Sequence, residues 1–129
     1  MDATAAASAT TLKKLVPLAA LFVVADLPWL YGAGSWASNV LKRAQGGHPM
    51  QFYLPAAIPV YFALAYLILH ASSPLSAFGI GFATYAVYDF TNLATLKYYD
   101  GQFAIADSIW GGVLFTIVYI LGRRVLSLF

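Results

Sequence analysis

An all-α integral membrane fold, a four-helix bundle with a short interfacial helix between its first and second spans, is what the sequence predicts, on three observations. The 129-residue chain is 61% apolar and 9% charged, with a mean hydropathy of +0.75, well outside soluble usage. Four separate stretches stay mostly apolar over roughly the 20 residues that a ~30 Å hydrocarbon core demands of a helix. Most of the basic residues stand as pairs at the ends of those stretches: Lys13-Lys14, Lys42-Arg43 and Arg123-Arg124. Lipid offers backbone N–H and C=O groups no partner, so each stretch is expected to be a helix.

Residues 1–14 (a leader rich in alanine, serine and threonine) are read as a disordered polar segment ahead of a first span at about 15–31. Asp26 and Pro28 interrupt that span before the small residues GAGS, so it is read as retained and not as a cleaved signal. In SWASNVLKRAQGG, Trp36, Ala37, Val40, Leu41 and Ala44 share one helical face and Asn39, Lys42 and Arg43 the other. With Ser35 as cap and Gly46-Gly47 as terminator, this stretch predicts the interfacial helix. The second span, about 52–70, holds Pro55 near its start and Pro59 a turn later, where a kink is expected. Ser72-Ser73-Pro74 closes it with a tight hairpin and opens the third, about 75–96. A fourth covers about 103–122, which makes 15–129 one four-span domain.

An even number of spans makes a multi-pass protein with both termini on one face. Four basic residues (Lys13, Lys14, Arg123, Arg124) lie there against three opposite (Lys42, Arg43, Lys97), which slightly favours cytoplasmic termini. Trp29, Trp36 and Trp110, with Tyr31, Tyr53, Tyr98 and Tyr99, gather towards the long-loop face as an aromatic belt.

Several classes of chemistry have no players. A net charge of +2 without a basic stripe argues against a nucleic-acid partner. Cysteine is absent, and His48 and His70 have no companions at ligand spacing, so no metal site is assigned. With no Ser-His-Asp set, nucleophile elbow or phosphate-cradling glycine loop, neither catalytic residues nor a cofactor is assigned, and the balance leans against an enzyme.

The polar residues inside the spans are the informative ones. Counting 1.5 Å per residue, Asp26, Asp89 and Asp107 lie about 8, 12 and 6 Å inside the long-loop face, so three carboxylates are expected at one level. Asp26-Leu-Pro-Trp29 and Asp107-Ser-Ile-Trp110 share a D-x-x-W spacing that sets each tryptophan one turn from its aspartate. Tyr85, Asp89 and Asn92 form a stripe on the third span, flanked by Tyr88. These eight residues are the candidate polar membrane site. An aspartate at a helix centre costs about 2.5–3.5 kcal/mol on insertion scales, so the stripe should face protein. Three bare charges close together imply a proton or a cation on at least one. Ala104, Ser108 and Gly112 form a small-residue ladder, read as a helix-packing seam, and Gly79 and Gly81 offer the same on the third span.

Two functional readings fit. In one the chain is a structural or assembly component of a membrane, and the polar groups are interhelical glue. In the other it is a proton- or cation-coupled transporter or binding protein for a small solute. Membrane lipid and a homo-oligomer or larger assembly are expected partners, and a small cation or solute belongs to the second reading.

The strings YAVYDFTNLATLK and DSIWGG, with ADLPWL in the first span, resemble the small membrane family known as domain of unknown function 2177. Its pattern, Y-x-x-Y-D-[LF]-T-N-L-A-T-L-K and then D-x-x-W-G, maps onto Tyr85, Tyr88, Asp89, Thr91, Asn92, Lys97, Asp107, Trp110 and Gly111. The likeness covers nearly the whole chain, is looser at Asp26 and Trp29, and leaves out the leader. It implies a four-helix membrane fold and no activity. It also implies relatives in bacteria, algae and large DNA viruses, and hence a virion membrane as one setting.

Overall fold

A computed structural model describes residues 3–128, with side chains from residue 9 onward. Four α-helices follow one another, α1 (Ala3–Ala44), α2 (Leu54–Ile68), α3 (Pro74–Thr95) and α4 (Gly101–Ile120), and a π-helical turn (Leu121–Val125) ends the last of them. Among the described residues there is no strand.

Helix α1 corrects two expectations. Residues 3–14, expected to be disordered, are helical, since this stretch is rich in alanine, the strongest helix former, and has no breaker before Pro17. Nor is there a separate interfacial helix. α1 runs without a break through Gly32, Gly34 and Ser35 for 42 residues, about 63 Å. The two glycines cost about 1 kcal/mol each relative to alanine, and packing offsets that. The apolar face read for residues 36–44 lies on the start of α4, where Val40 is fully buried with Tyr99, Phe103 and Ala104. Trp36 meets Phe103 edge-on at 5.2 Å and donates its indole N–H to Asp100 at 3.2 Å. The helix stops where Gly46 (φ +68°) and Gly47 (φ +93°) adopt the left-handed region, letting the Gly47 N–H return to the Lys42 carbonyl at 2.9 Å.

α1 and α4 with its π-helical turn are each long and apolar enough to cross a membrane. From Lys14 to Lys42, α1 rises about 42 Å, which matches a bilayer of ~40–45 Å with its headgroups. α2 is apolar but has only 15 residues, about 22 Å. α3 is long enough, but Asp89, Asn92 and its threonines lower its hydropathy.

α4 is the central element. α3 packs antiparallel along it, α1 lies on its other side, and α2 leans on α1 and scarcely touches α3. Ser73 caps α3 by accepting the Ser76 N–H at 3.0 Å, with Pro74 as first helical residue. Asp100 caps α4, accepting the N–H groups of Gln102 (2.8 Å) and Phe103 (3.4 Å). The Lys97–Asp100 spacing suggests an ion pair, yet Asp100 turns to Trp36 and Arg43, and Lys97 lies over the Tyr98 ring. Leu18, Phe22, Leu64, Ile68, Ala77, Leu114, Phe115 and Val118 form the core towards the α2–α3 hairpin end.

Small residues set the α3–α4 distance. A Cβ on Gly81 would overlap the Gly111 carbonyl oxygen and the Phe115 side chain, and one on Gly112 would overlap the Phe78 ring. Gly79 faces open space. Ala104 and Ser108 are fully buried on α4, and the Ser108 hydroxyl donates to the Ala104 carbonyl at 2.7 Å.

Gly81→Ala is therefore expected to destabilise the protein by about 1–3 kcal/mol, as overpacking against backbone does. Gly79→Ala should be neutral or stabilising by up to about 1 kcal/mol through helix propensity. Unfolding in mixed micelles of increasing SDS fraction checks both. A second expectation concerns Asp100, outside the apolar segments. Desolvation, the largest single effect, works the other way, but the Trp36 N–H, the N–H groups of Gln102 and Phe103 and the Arg43 guanidinium together outweigh it and hold the carboxyl below the usual carboxylate range. Its contribution is present above the unfolded value, about pH 4, and disappears as pH falls through the lower folded value. Hydrogen exchange over residues 36–44, corrected for intrinsic rates, should rise in that acid window. In Asp100→Asn it should already be raised at neutral pH, without the acid step.

Candidate functional site

On the loop side of the core, α1, α3 and α4 turn carboxyl groups towards one another. Asp26 is 6% exposed, Asp107 8% and Asp89 0%. Asp26 uses both oxygens: Oδ1 accepts the indole N–H of Trp110 at 2.8 Å, and Oδ2 accepts the Tyr61 hydroxyl of α2 at 3.0 Å. The Trp29 indole stands beside the Asp107 carboxyl, within reach of a hydrogen bond. The two indoles stack, with centroids 5.6 Å apart and planes 8° from parallel. The shared D-x-x-W spacing thus has a geometric meaning. On antiparallel helices, an aspartate and a tryptophan one turn apart each meet the opposite member of the other pair.

Asp89 is held differently. Its Oδ1 accepts the Tyr99 hydroxyl at 2.8 Å. The Asn92 side chain lies within hydrogen-bonding reach of the hydroxyls of Tyr99 and Tyr88, which sets the α3 stripe against the turn before α4. Tyr98 makes this turn by adopting φ +66°, a strained conformation for a bulky residue, and Tyr99 folds inward at 7% exposure. Asp89 Oδ2 is buried and has no donor. Its carboxyl lies within hydrogen-bonding reach of that of Asp107. Two carboxylates offer each other only lone pairs, so a bond between them requires one proton.

Asp107 opens outward in two directions. A cleft of about 180 Å³ between α1 and α3 is lined by Asp26, Trp29, Tyr85, Tyr88, Phe103 and Asp107, and continues past Gly34 and Ala37 to Leu41. A second of about 400 Å³, between α2 and α3, is lined by Val60, Leu64, Thr84, Tyr85, Tyr88 and Asp107. Tyr99 also lines a polar cleft of about 710 Å³ at the loop end, with Arg43, Gly46, Gly47 and Asp100, and so separates that cleft from Asp89.

The eight residues singled out in the sequence thus fall together: Asp26, Trp29, Asp107 and Trp110 in the reciprocal exchange, Tyr88, Asp89 and Asn92 in the α3 network, and Tyr85 between them. Asp26 lies deeper than the count from Tyr31 gave, about 27 Å before the end of α1, because α1 does not stop there. Sequence reasoning missed Tyr61 and Tyr99. Tyr61 could have been found by applying the same depth count to phenols in the second span. Tyr99, next to Tyr98 in the expected belt, gave no such signal, since its inward turn depends on a backbone conformation. His48 lies in the loop after α1, and His70 follows α2 with its ring near Tyr66. Among the described residues no three His, Cys, Asp or Glu side chains are grouped to hold a metal ion. The arrangement can exchange a proton and can hold a cation against carboxyl oxygens and ring faces.

A family model described as "Predicted membrane protein (DUF2177)" matches residues 11–123, a stretch that contains every residue of the site. No curated protein and no solved structure matches the chain.

Trp110→Phe keeps the stacked ring and removes one donor from Asp26; a loss of about 1–3 kcal/mol is expected. Trp29→Phe should cost a similar amount at Asp107. Because both pairs hold α1 and α4 in one register, loss of either loosens the other, and the double variant should lose less than the sum of the single losses. SDS-induced unfolding of the four proteins measures the coupling, and strict additivity would show the exchange to be two unrelated contacts.

Proposed function

The chain belongs to the DUF2177 family of predicted membrane proteins, and we propose that it is a multi-pass protein whose Asp89–Asp107 pair exchanges a proton for a small organic cation. The observation that carries this reading is Asp107, which lies beside the buried carboxyl of Asp89, one of whose oxygens has no donor, and opens into aromatic-lined clefts on the other side. In this reading all four helices cross the bilayer, with both termini on the cytoplasmic side.

Empty, the pair carries one proton and a single negative charge. An ammonium entering the cleft donates N–H to Asp107, and the proton leaves, so the site exchanges one positive charge for another. Trp29, Tyr85, Tyr88 and Phe103 favour a cation with apolar substituents over a hydrated one. Hard ions such as Ca²⁺ take about 6–8 oxygen ligands, more than this pair presents.

A second reading, a structural or assembly component of a membrane such as that of a virion, is favoured by Asp26. Both of its oxygens are engaged, by Tyr61 of α2 and Trp110 of α4. That accounts for Asp26 as interhelical glue but leaves the unsatisfied oxygen of Asp89 without a purpose. Assembly into a homo-oligomer is compatible with either role.

Calorimetric titration of the purified protein, in phosphatidylcholine nanodiscs at neutral pH, with ethylammonium tests the proposal. Saturable binding is expected, with about one proton released per cation, counted by repeating the titration in buffers of different ionisation enthalpy. Asp107→Asn and Asp89→Asn should each weaken binding by about tenfold or more, the measure of one lost charge-assisted hydrogen bond. Binding unchanged in both variants, or none in the parent protein, overturns the reading in favour of glue.

A further inference from the structure

Resting on that reading of the carboxyl pair, we infer that the cation is the head of an amphiphile, an ammonium on an aliphatic chain, admitted sideways from the lipid between α2 and α3. The two clefts on Asp107 differ in chemistry. The one beside α1 runs towards Leu41, next to Lys42 and Arg43, so a cation arriving from water at that end meets positive charge first. The α2–α3 cleft has more than twice the volume, and no charged residue lines it except Asp107.

Its walls suit a hydrocarbon chain. Val60 and Leu64 line the α2 side, and α2 carries no charged residue between Leu54 and Ile68. On the α3 side the Thr84 hydroxyl is already engaged with the Ile80 carbonyl at 2.7 Å, so it presents its methyl group without a free donor. Val60 and Tyr88 are about half exposed at the mouth, which opens where α2 scarcely touches α3. The cleft therefore runs from an outer face that lipid would cover to a single buried acid. A phospholipid is a poor occupant, because its phosphate would be drawn in beside the carboxyls. A chain ending in a lone ammonium matches both ends.

The test uses a dodecylammonium carrying a photoactivatable diazirine in mid-chain, incubated with the full-length protein in phosphatidylcholine nanodiscs, and ethylammonium as the short comparison. Photolabelling is expected on residues around Val60, Leu64 and Thr84, with a drop of tenfold or more in Asp107→Asn. Val60→Trp, which narrows the mouth, should abolish labelling, and an SDS-unfolding midpoint unchanged from the parent reports a folded protein. Labelling elsewhere, or labelling indifferent to Asp107→Asn, overturns the inference. So does a phospholipid retained in the cleft by native mass spectrometry. Ethylammonium binding without dodecylammonium labelling removes the lateral route and leaves the carboxyl pair standing as a cation site, whereas failure of both amines removes the two together.

Discussion

The pairing of two D-x-x-W turns, in which Trp110 donates its indole N–H to Asp26 and Trp29 stands beside Asp107, is the constraint on which the rest of this fold depends. A carboxyl in a low-dielectric setting must find donors close at hand, and here each donor comes from the opposite helix. Sliding α1 along α4 by one turn would leave both acids without indole partners and break the ring stack. The pairing therefore sets the register of these two helices more firmly than apolar packing, which tolerates repacking. Tyr61 adds α2 to the same carboxyl, so three of the four helices are tied to the level of Asp26.

α3 is positioned by other means, and its acid is treated differently. Gly81 and Gly111 bring α3 close to α4, and that proximity sets Asp89 beside Asp107. Where Asp26 has two donors, Asp89 has one, supplied from a turn that holds Tyr98 in a strained left-handed conformation. Strain and an unsatisfied oxygen thus occur together on one side of the site, while the other side is fully bonded. In the proposed reading, structural and functional duties are divided along the line between Asp26 and Asp89, within a single cluster of acids.

Much of this division was legible in the sequence, and the gaps have physical causes. Depth counting levelled Asp26, Asp89 and Asp107, and the repeated D-x-x-W was visible as a spacing. What the spacing meant depended on the antiparallel contact of α1 with α4, which no local pattern contains. The length of α1 was misread because Gly32, Gly34 and Ser35 punctuate a chain locally. Contacts from Val40 and Trp36 to residues some sixty positions away outweigh that punctuation. Periodicity did find the apolar face of residues 36–44 and assigned it to lipid, since a single helix cannot tell a lipid surface from the flank of another helix. Tyr99 was hidden for the same reason as the strain at Tyr98: both are properties of backbone dihedrals at one turn.

The shortness of α2 connects these facts. With 15 residues it covers α1 only up to the level of Ala33 and leaves the groove over the first turns of α4 open beyond that point. A longer α2 packed against α3 would seal Asp107 on both sides. An acid sealed in that way could be satisfied only by protein donors, and it would then resemble Asp26. Under such conditions the orphaned oxygen of Asp89 would be a plain cost of about 1–3 kcal/mol with nothing to offset it. Natural sequences keep such a cost where it serves a site and remove it elsewhere. In the proposed reading the open flank and the unpaired oxygen are one feature: the helix that leaves Asp107 uncovered admits the partner that the carboxyl pair lacks within the chain.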